Sequence, residues 1–197
     1  MNYELYLLDT ETTGLDAYKN DVIELSIIRF SDQVQRTWHL QPTCFDHVDT
    51  GALRVNGHKL EDIKHQTEYG KSLYKNPKDI IIEVENFLME DNLPTLNRVM
   101  VAHNVAFDKN MLEQLWIKCG AGDSFPFGRR TIDTSSLEFF MDLAAGGEMA
   151  PGYSLSNLTK KYGITGMGKA HTAEADTKML YEAFKHQLAA FKKALNK

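Results

Sequence analysis

Asp9-Thr10-Glu11-Thr12-Thr13-Gly14 follows directly on the apolar run Leu5-Tyr6-Leu7-Leu8. If that run is a β-strand, residues i and i+2 share a face, so Asp9 and Glu11 present two carboxylates side by side where the strand ends. Anions that close repel, and each raises the pKa of the other unless a cation lies between them. A hard, oxygen-preferring Mg²⁺ or Mn²⁺ is the ordinary solution, because it takes one or two carboxylates and keeps positions for water and phosphate oxygens. Asp-x-Glu is a short pattern, however. A polar strand terminus leading into a Thr-Gly turn accounts for it equally well.

Two more acidic sites lie downstream. Ala102-His103-Asn104-Val105-Ala106-Phe107-Asp108 spans the end of the apolar run Val99–Ala102 and the start of a helix. Ligand sites in α/β sheets gather at the carboxyl ends of strands, so Asp108 is placed to join Asp9 and Glu11. The plainer reading makes it a first-turn acid favoured by the helix dipole. His171-Thr172-Ala173-Glu174-Ala175-Asp176 opens the last helix. An imidazole, ordinarily titrating near ~6.5, suits proton abstraction close to neutrality. A solvated loop histidine and a helix-surface aspartate are the alternative, and His-x₄-Asp is a weak pattern because His103 and Asp108 repeat it.

The elements that must position these groups read as α/β. Strands are expected at Leu5–Leu8, Val22–Ile28 and Val34–Gln41, the last two joined as an antiparallel hairpin, with short helical turns over Asp49–Lys64. Pro77 opens a helix with Ile81, Val84, Phe87 and Leu88 on one stripe. A strand at Val99–Ala102 precedes a helix that buries Met111, Leu112, Leu115 and Trp116 and ends at Cys119-Gly120. Arg130–Asp133 reads as a fifth strand and Thr134–Leu143 as a helix, and Ala144–Gly152 is the most linker-like stretch. Ser154 caps a helix over Leu155–Tyr162, and the final helix runs from about Thr172 to Ala194 with Ala175, Met179, Ala183 and Phe184 inward. One five-stranded mixed sheet with helices on both faces is expected, in a single domain over 1–197.

Composition narrows the class without naming it. At 197 residues and 43% hydrophobic the chain can bury one sizeable core. Its net charge of −5 announces no basic surface, although a protein gripping a few nucleotides through metal ions needs little. Cys44 and Cys119 form no CxxC and suit a reducing interior. Without a signal-peptide pattern or a bilayer-length apolar run, a cytoplasmic protein away from the membrane is the default.

Taken jointly, Asp-x-Glu, Asp and Asp with a late His resemble the DEDDh group of 3′–5′ exonucleases in the ribonuclease H-like superfamily, whose best-known member is the proofreading epsilon subunit of DNA polymerase III. The resemblance rests on Leu8–Leu15, Ala102–Asp108 and His171–Asp176. Ala52-Leu53-Arg54-Val55-Asn56-Gly57 looks like the family's "A-x-x-V-H-G" turn with Asn56 where a His is usual. Asp133-Thr134, Leu155-Ser156-Asn157-Leu158 and Tyr162-Gly163-Ile164 echo its later stretch, so the likeness runs in order from Leu5 to Ala183. A sister group has Tyr four residues before the last Asp. Thr172 stands there, and His171 makes this the His type.

The resemblance implies that Asp9, Glu11, Asp108 and Asp176 hold two divalent ions, Mg²⁺ or Mn²⁺, and that His171 deprotonates the attacking water. It implies removal of 5′-mononucleotides from 3′ ends, with single-stranded DNA favoured and RNA trimming of the ribonuclease T kind as the alternative. An inactive nucleic-acid-binding module is a remote second. Backbone N–H groups of Thr12 and Thr13 would approach the terminal nucleotide, Leu15 would wedge between the last two bases, and Phe107 would pack beneath the terminal sugar or base. For Leu15 and Phe107, plain core packing is the competing reading. His103, Asn104 and Asn56 would lie on the substrate side, and Lys169 would meet a phosphate unless it is simply a solvated loop lysine. No long tail follows the last helix, which favours stand-alone action or association through the folded surface. Polymerase association and a homodimer stay open.

Overall fold

The computed structural model describes residues 3–64, 73–146, 150, 152–166 and 171–196. Its centre is a five-stranded sheet in the order β3-β2-β1-β4-β5, with β1 Glu4–Thr12, β2 Val22–Arg29, β3 Gln35–His39, β4 Arg98–Ala102 and β5 Thr131–Asp133. β1–β2 and β2–β3 pair antiparallel, whereas β1–β4 and β4–β5 pair parallel, so the sheet is mixed as expected. A short loop turns β2 into β3, the longer loop 13–21 turns β1 into β2, and α4 carries the chain from β4 across to the parallel β5.

Seven α-helices are described: α1 Thr50–Asn56, α2 Leu60–Lys64, α3 Pro77–Met89, α4 Val105–Lys118, α5 Thr134–Ala145, α6 Leu155–Tyr162 and α7 Ala173–Leu195. Their starts are set by local chemistry. Asn76 caps α3 with Pro77 at its first position, Ser154 caps α6 through Asn157 N–H, and Thr172 caps α7 through Ala175 N–H. Asp133 does this twice over. Its carboxylate accepts from the N–H groups of Ser135 and Ser136 at the start of α5 and of Val105 at the start of α4.

The strand pleat sorts the core into two layers. Even-numbered Tyr6 and Leu8 of β1 pack with Met100, Ala102, Val84, Phe87, Leu112 and Trp116 under α3 and α4. Odd-numbered Leu7 packs with Val101, Leu180, Tyr181 and Phe184 under α7. The stripes expected on α3 and α4 are buried as read, while on α7 Met179 is half-buried beside the buried Ala175, Ala183 and Phe184. Among the described residues no helix is long and apolar enough to cross a membrane.

One boundary differs in a way that matters. β1 does not stop at Leu8 but continues to Thr12, so the acidic motif is part of the strand. Pairing against a long neighbour is the reason: Asp9 lies opposite Ser26 and Glu11 opposite Glu24, and the register shifts only between Glu11 and Thr12. Ladder bonds held on that side outweigh the weak β-propensity of acidic residues.

Candidate active site

Because the pleat alternates, Asp9 and Glu11 face α7 together with Leu7, and Thr10 between them faces α4 with Leu8. Asp176 in the first turn of α7 completes the group. One carboxylate oxygen from each of Asp9, Glu11 and Asp176 lies within 4.8 Å of the others. Asp108, from the first turn of α4, approaches from the other layer and is outside that set. It is buried at 3% exposure, and its Oδ1 accepts from Thr10 N–H at 3.1 Å and Thr10 Oγ1 at 2.8 Å. Three of the four expected carboxylates therefore converge directly, and the fourth is hung from the strand residue between two of them.

These acids are electrostatically unhappy without a cation. Burial pushes the Asp9 carboxyl well above its usual range, and the charges of Asp108, Asp176, Glu11 and Glu24 push it further. Burial, then Asp176, Glu24 and Asp108, raise Glu11 to about 8 against a bond from Asn56. Burial raises Asp108 against its bonds from Thr10, and raises Asp176 against the His171 N–H. Converging hard oxygen donors with raised pKa values fit a divalent cation, whose positive charge would favour their ionised forms.

His171 is exposed, sits in the left-handed region at φ 66°, and donates its N–H to Asp176 Oδ2 at 3.3 Å. That backbone bond keeps His171 next to the acidic cluster. His103 is a different kind of residue. It is half-buried, its Nδ1 lies 3.0 Å from Thr134 Oγ1, and burial lowers its pKa despite the Asp133 charge nearby. Lys169 lies outside the described residues.

The expected substrate residues divide. Leu15 is 84% exposed, which removes plain core packing as its role, and Asn104 is exposed at φ 66° ahead of α4. Phe107 is half-buried against the α3/α4 core layer. Thr12 is buried, with its hydroxyl on Gly14 O at 2.7 Å. The Thr13 amide donates to Asp21 O at 2.8 Å, and the Thr13 hydroxyl accepts from Asp21 N–H, so both close the loop itself. Asn56 is buried too, donating to Thr12 O at 3.1 Å and accepting from His58 N–H at 3.3 Å. It braces the acidic strand from behind.

The loop carrying Leu15 is built around Asn20, whose carboxamide bonds Asp16 N–H, Thr13 O and His47 O. A Cβ on Gly14 would stand 2.5 Å from that carboxamide, which is why a glycine follows the threonines. Thr10, His58 and Glu24 were not singled out from the sequence. Glu24 did leave a trace there, as the one acid within the apolar run Val22–Ile28.

A profile of the family RNase_T, described as exonuclease, matches residues 7–184. The chain is 26% identical over 193 residues to a DNA polymerase III of PolC type from Thermotoga petrophila, taking in 98% of this chain and 12% of that protein. It is 26% identical over 183 residues to DNA polymerase III subunit epsilon of Treponema pallidum, taking in 92% of this chain and 74% of that protein. The chain thus spans a small part of the PolC-type relatives and about three quarters of the epsilon subunit. Among solved structures, E. coli exonuclease I in complex with a dT13 oligonucleotide superposes with a TM-score of 0.71 at 16% identity, over 97% of this chain and 43% of that one. Cell-death related nuclease 4 gives 0.76 at 14% identity, over 95% and 64%. At such identities the likeness is one of fold, the ribonuclease H-like sheet with helices on both faces.

Proposed function

The chain belongs to the exonuclease family RNase_T, and from that premise we propose that it is a DEDDh-type, metal-dependent 3′–5′ exonuclease releasing 5′-mononucleotides from DNA, single strands preferred. The observation that carries the reading is the meeting of Asp9 and Glu11 from β1 with Asp176 from α7 within 4.8 Å. With Asp108 beside them, these residues would hold two divalent ions, Mg²⁺ or Mn²⁺. Bound there, the ions would supply charge stabilisation for displacement at phosphorus.

The chain's own residues do the rest. His171, exposed at the rim, takes the proton from the attacking water. Thr10 holds Asp108 in place through two bonds, and Asn56 ties down the strand end at Thr12. Leu15, presented outward on a loop that Asn20 fixes, intercalates at the unpaired 3′ end, and Phe107, His103 and Asn104 contribute to the substrate side. Stacking of bases on apolar side chains tolerates any sequence, as a degradative enzyme requires. The relatives that are DNA polymerase III proteins, and the oligonucleotide-bound exonuclease I, support DNA as substrate and make association with a polymerase a further part of the proposal.

The test uses matched 5′-labelled single-stranded DNA and RNA with Mg²⁺ or Mn²⁺. A descending ladder on DNA that stops in EDTA is the expected result. Undiminished degradation in EDTA, or release of the 5′ label as the first product, overturns the reading. Faster loss of RNA transfers it to RNA 3′-end trimming.

A further inference from the structure

We infer that Glu24, itself held by His58, is a positioning residue that sets the first turn of α7 and through it the His171 imidazole. The inference rests on the catalytic reading above and extends it to a carboxylate outside the acidic cluster. Glu24 is 3% exposed in β2, directly across the ladder from Glu11. A like charge opposite Glu11 is costly, and apolar residues occupy the flanking positions Ile23 and Leu25, so a buried acid here demands a specific partner.

It has two. Oε1 accepts from the Glu174 backbone N–H at 3.3 Å, one of the orphan donors in the first turn of α7. Oε2 lies 3.0 Å from His58 Nε2, and His58 Nδ1 bonds the Tyr74 hydroxyl, which fixes the imidazole ring. Both oxygens are thereby committed, and Glu24 is not in the cluster that could hold a metal.

What it grips is the point of leverage. Glu174 lies between His171 and Asp176, and His171 is tied by its N–H to Asp176 Oδ2 in a left-handed conformation that non-glycine residues seldom adopt. Gln35 Nε2 bonds Glu174 O at 3.0 Å and Thr177 Oγ1 bonds Ser26 O at 3.3 Å, so β2 and β3 clasp this turn on several sides. Glu24 does so with a carboxylate oxygen aimed at the N–H end of the helix, where the dipole favours an acidic group.

The experiment compares Glu24→Ala and Glu24→Gln, each alone and with His171→Ala, on single-stranded DNA with Mg²⁺. Glu24→Ala should lower kcat by about 10–100-fold, as loss of an outer-shell partner does, with KM unchanged. Its Glu174 amide should exchange hydrogen faster in metal-free protein. Glu24→Gln, which keeps an acceptor for Glu174, should recover most of kcat. On the His171→Ala background, Glu24→Ala should add no further loss. Wild-type kcat in folded Glu24→Ala, or losses that multiply in the double variant, overturns the inference. Should Glu24→Ala not fold, Glu24→Leu fills the same volume without the acceptor, and wild-type kcat there overturns it equally. An inert His171→Ala beside an active Glu24→Ala refutes this inference alone, whereas a fully active His171→Ala refutes the base assignment and this inference with it.

Discussion

Thr10 holds Asp108 twice, through its backbone N–H at 3.1 Å and its hydroxyl at 2.8 Å, both on the same carboxylate oxygen. The residue between the two acidic positions of β1 thus reaches into the opposite layer and retains the acid from α4. Thr10→Val keeps the shape and the backbone bond but removes the hydroxyl. It should destabilise the protein by about 1–3 kcal/mol, the penalty for leaving a buried acceptor short of a partner, and should weaken Mn²⁺ binding. Urea unfolding and Mn²⁺ titration check this. Unchanged values in both would mean that the hydroxyl is incidental.

Stability without metal should fall as pH rises. Glu11 titrates at about 8 in the folded chain against an ordinary 4.5, so between those values the native state carries a proton that the unfolded state has released. Its stabilising effect is complete below 4.5 and lost as pH climbs through about 8, and Asp9, Asp108 and Asp176 act in the same direction. His39 and His103, lowered by burial, act oppositely, but only below the ordinary imidazole value of 6.5. The clean window is therefore 6.5 to about 8. Melting in EDTA should drop across it, and millimolar Mn²⁺ should abolish the drop. A flat profile in EDTA would contradict the cluster's electrostatics.

Neutralising one member of the cluster should separate stability from activity. Glu11→Gln removes a buried charge from among like charges, so metal-free protein at pH 8 should melt higher while hydrolysis collapses. A lower melting point at that pH would show that repulsion is not what burdens the site.

The two histidines should respond differently. His171→Ala should lose about 10²–10⁴-fold in turnover, the range for a general base, while folding normally. His103→Ala removes one of the two partners of Thr134 Oγ1, Ala102 O being the other, and should appear first as lost stability, about 0.5–1.5 kcal/mol. Near wild-type turnover by folded His171→Ala at neutral pH would reassign the base.

Leu15→Ala should change stability by no more than about 0.5 kcal/mol, as for other exposed positions, because the side chain is 84% exposed. Its KM for single-stranded DNA should rise. A destabilisation on the scale of a core deletion, about 2–5 kcal/mol, would show that the loop packs differently in solution.

Much of this was legible in the residues. Apolar stripes on α3 and α4, the Ser154 cap and the five strands all follow from local patterns that tertiary packing did not overrule. The length of β1 was not legible, because acidic residues read as a strand's end and only pairing with β2 carries them on. The division of labour among the carboxylates was hidden for a related reason. Parity along β1 puts Asp9 and Glu11 on one face, but that Thr10 would detain Asp108 on the other depends on where α4 lies. Glu24 and His58 meet across 34 residues, and no local pattern encodes such a pair.

On the proposed function, the alternation of β1 between two layers would also make hydrolysis a gauge of folding fidelity. A slip of one residue against β2 would turn Asp9 and Glu11 toward α4 and expose the wrong apolar set, which the core forbids. A slip of two would preserve every buried face and pass most tests of compactness, yet it would carry both carboxylates roughly 7 Å along the strand, farther than the 4.8 Å that now contains the cluster. Such a chain would be compact, helical and inert. Specific activity per folded molecule therefore counts correctly registered sheets, which makes this strand suited to measuring how often a mixed sheet closes out of step.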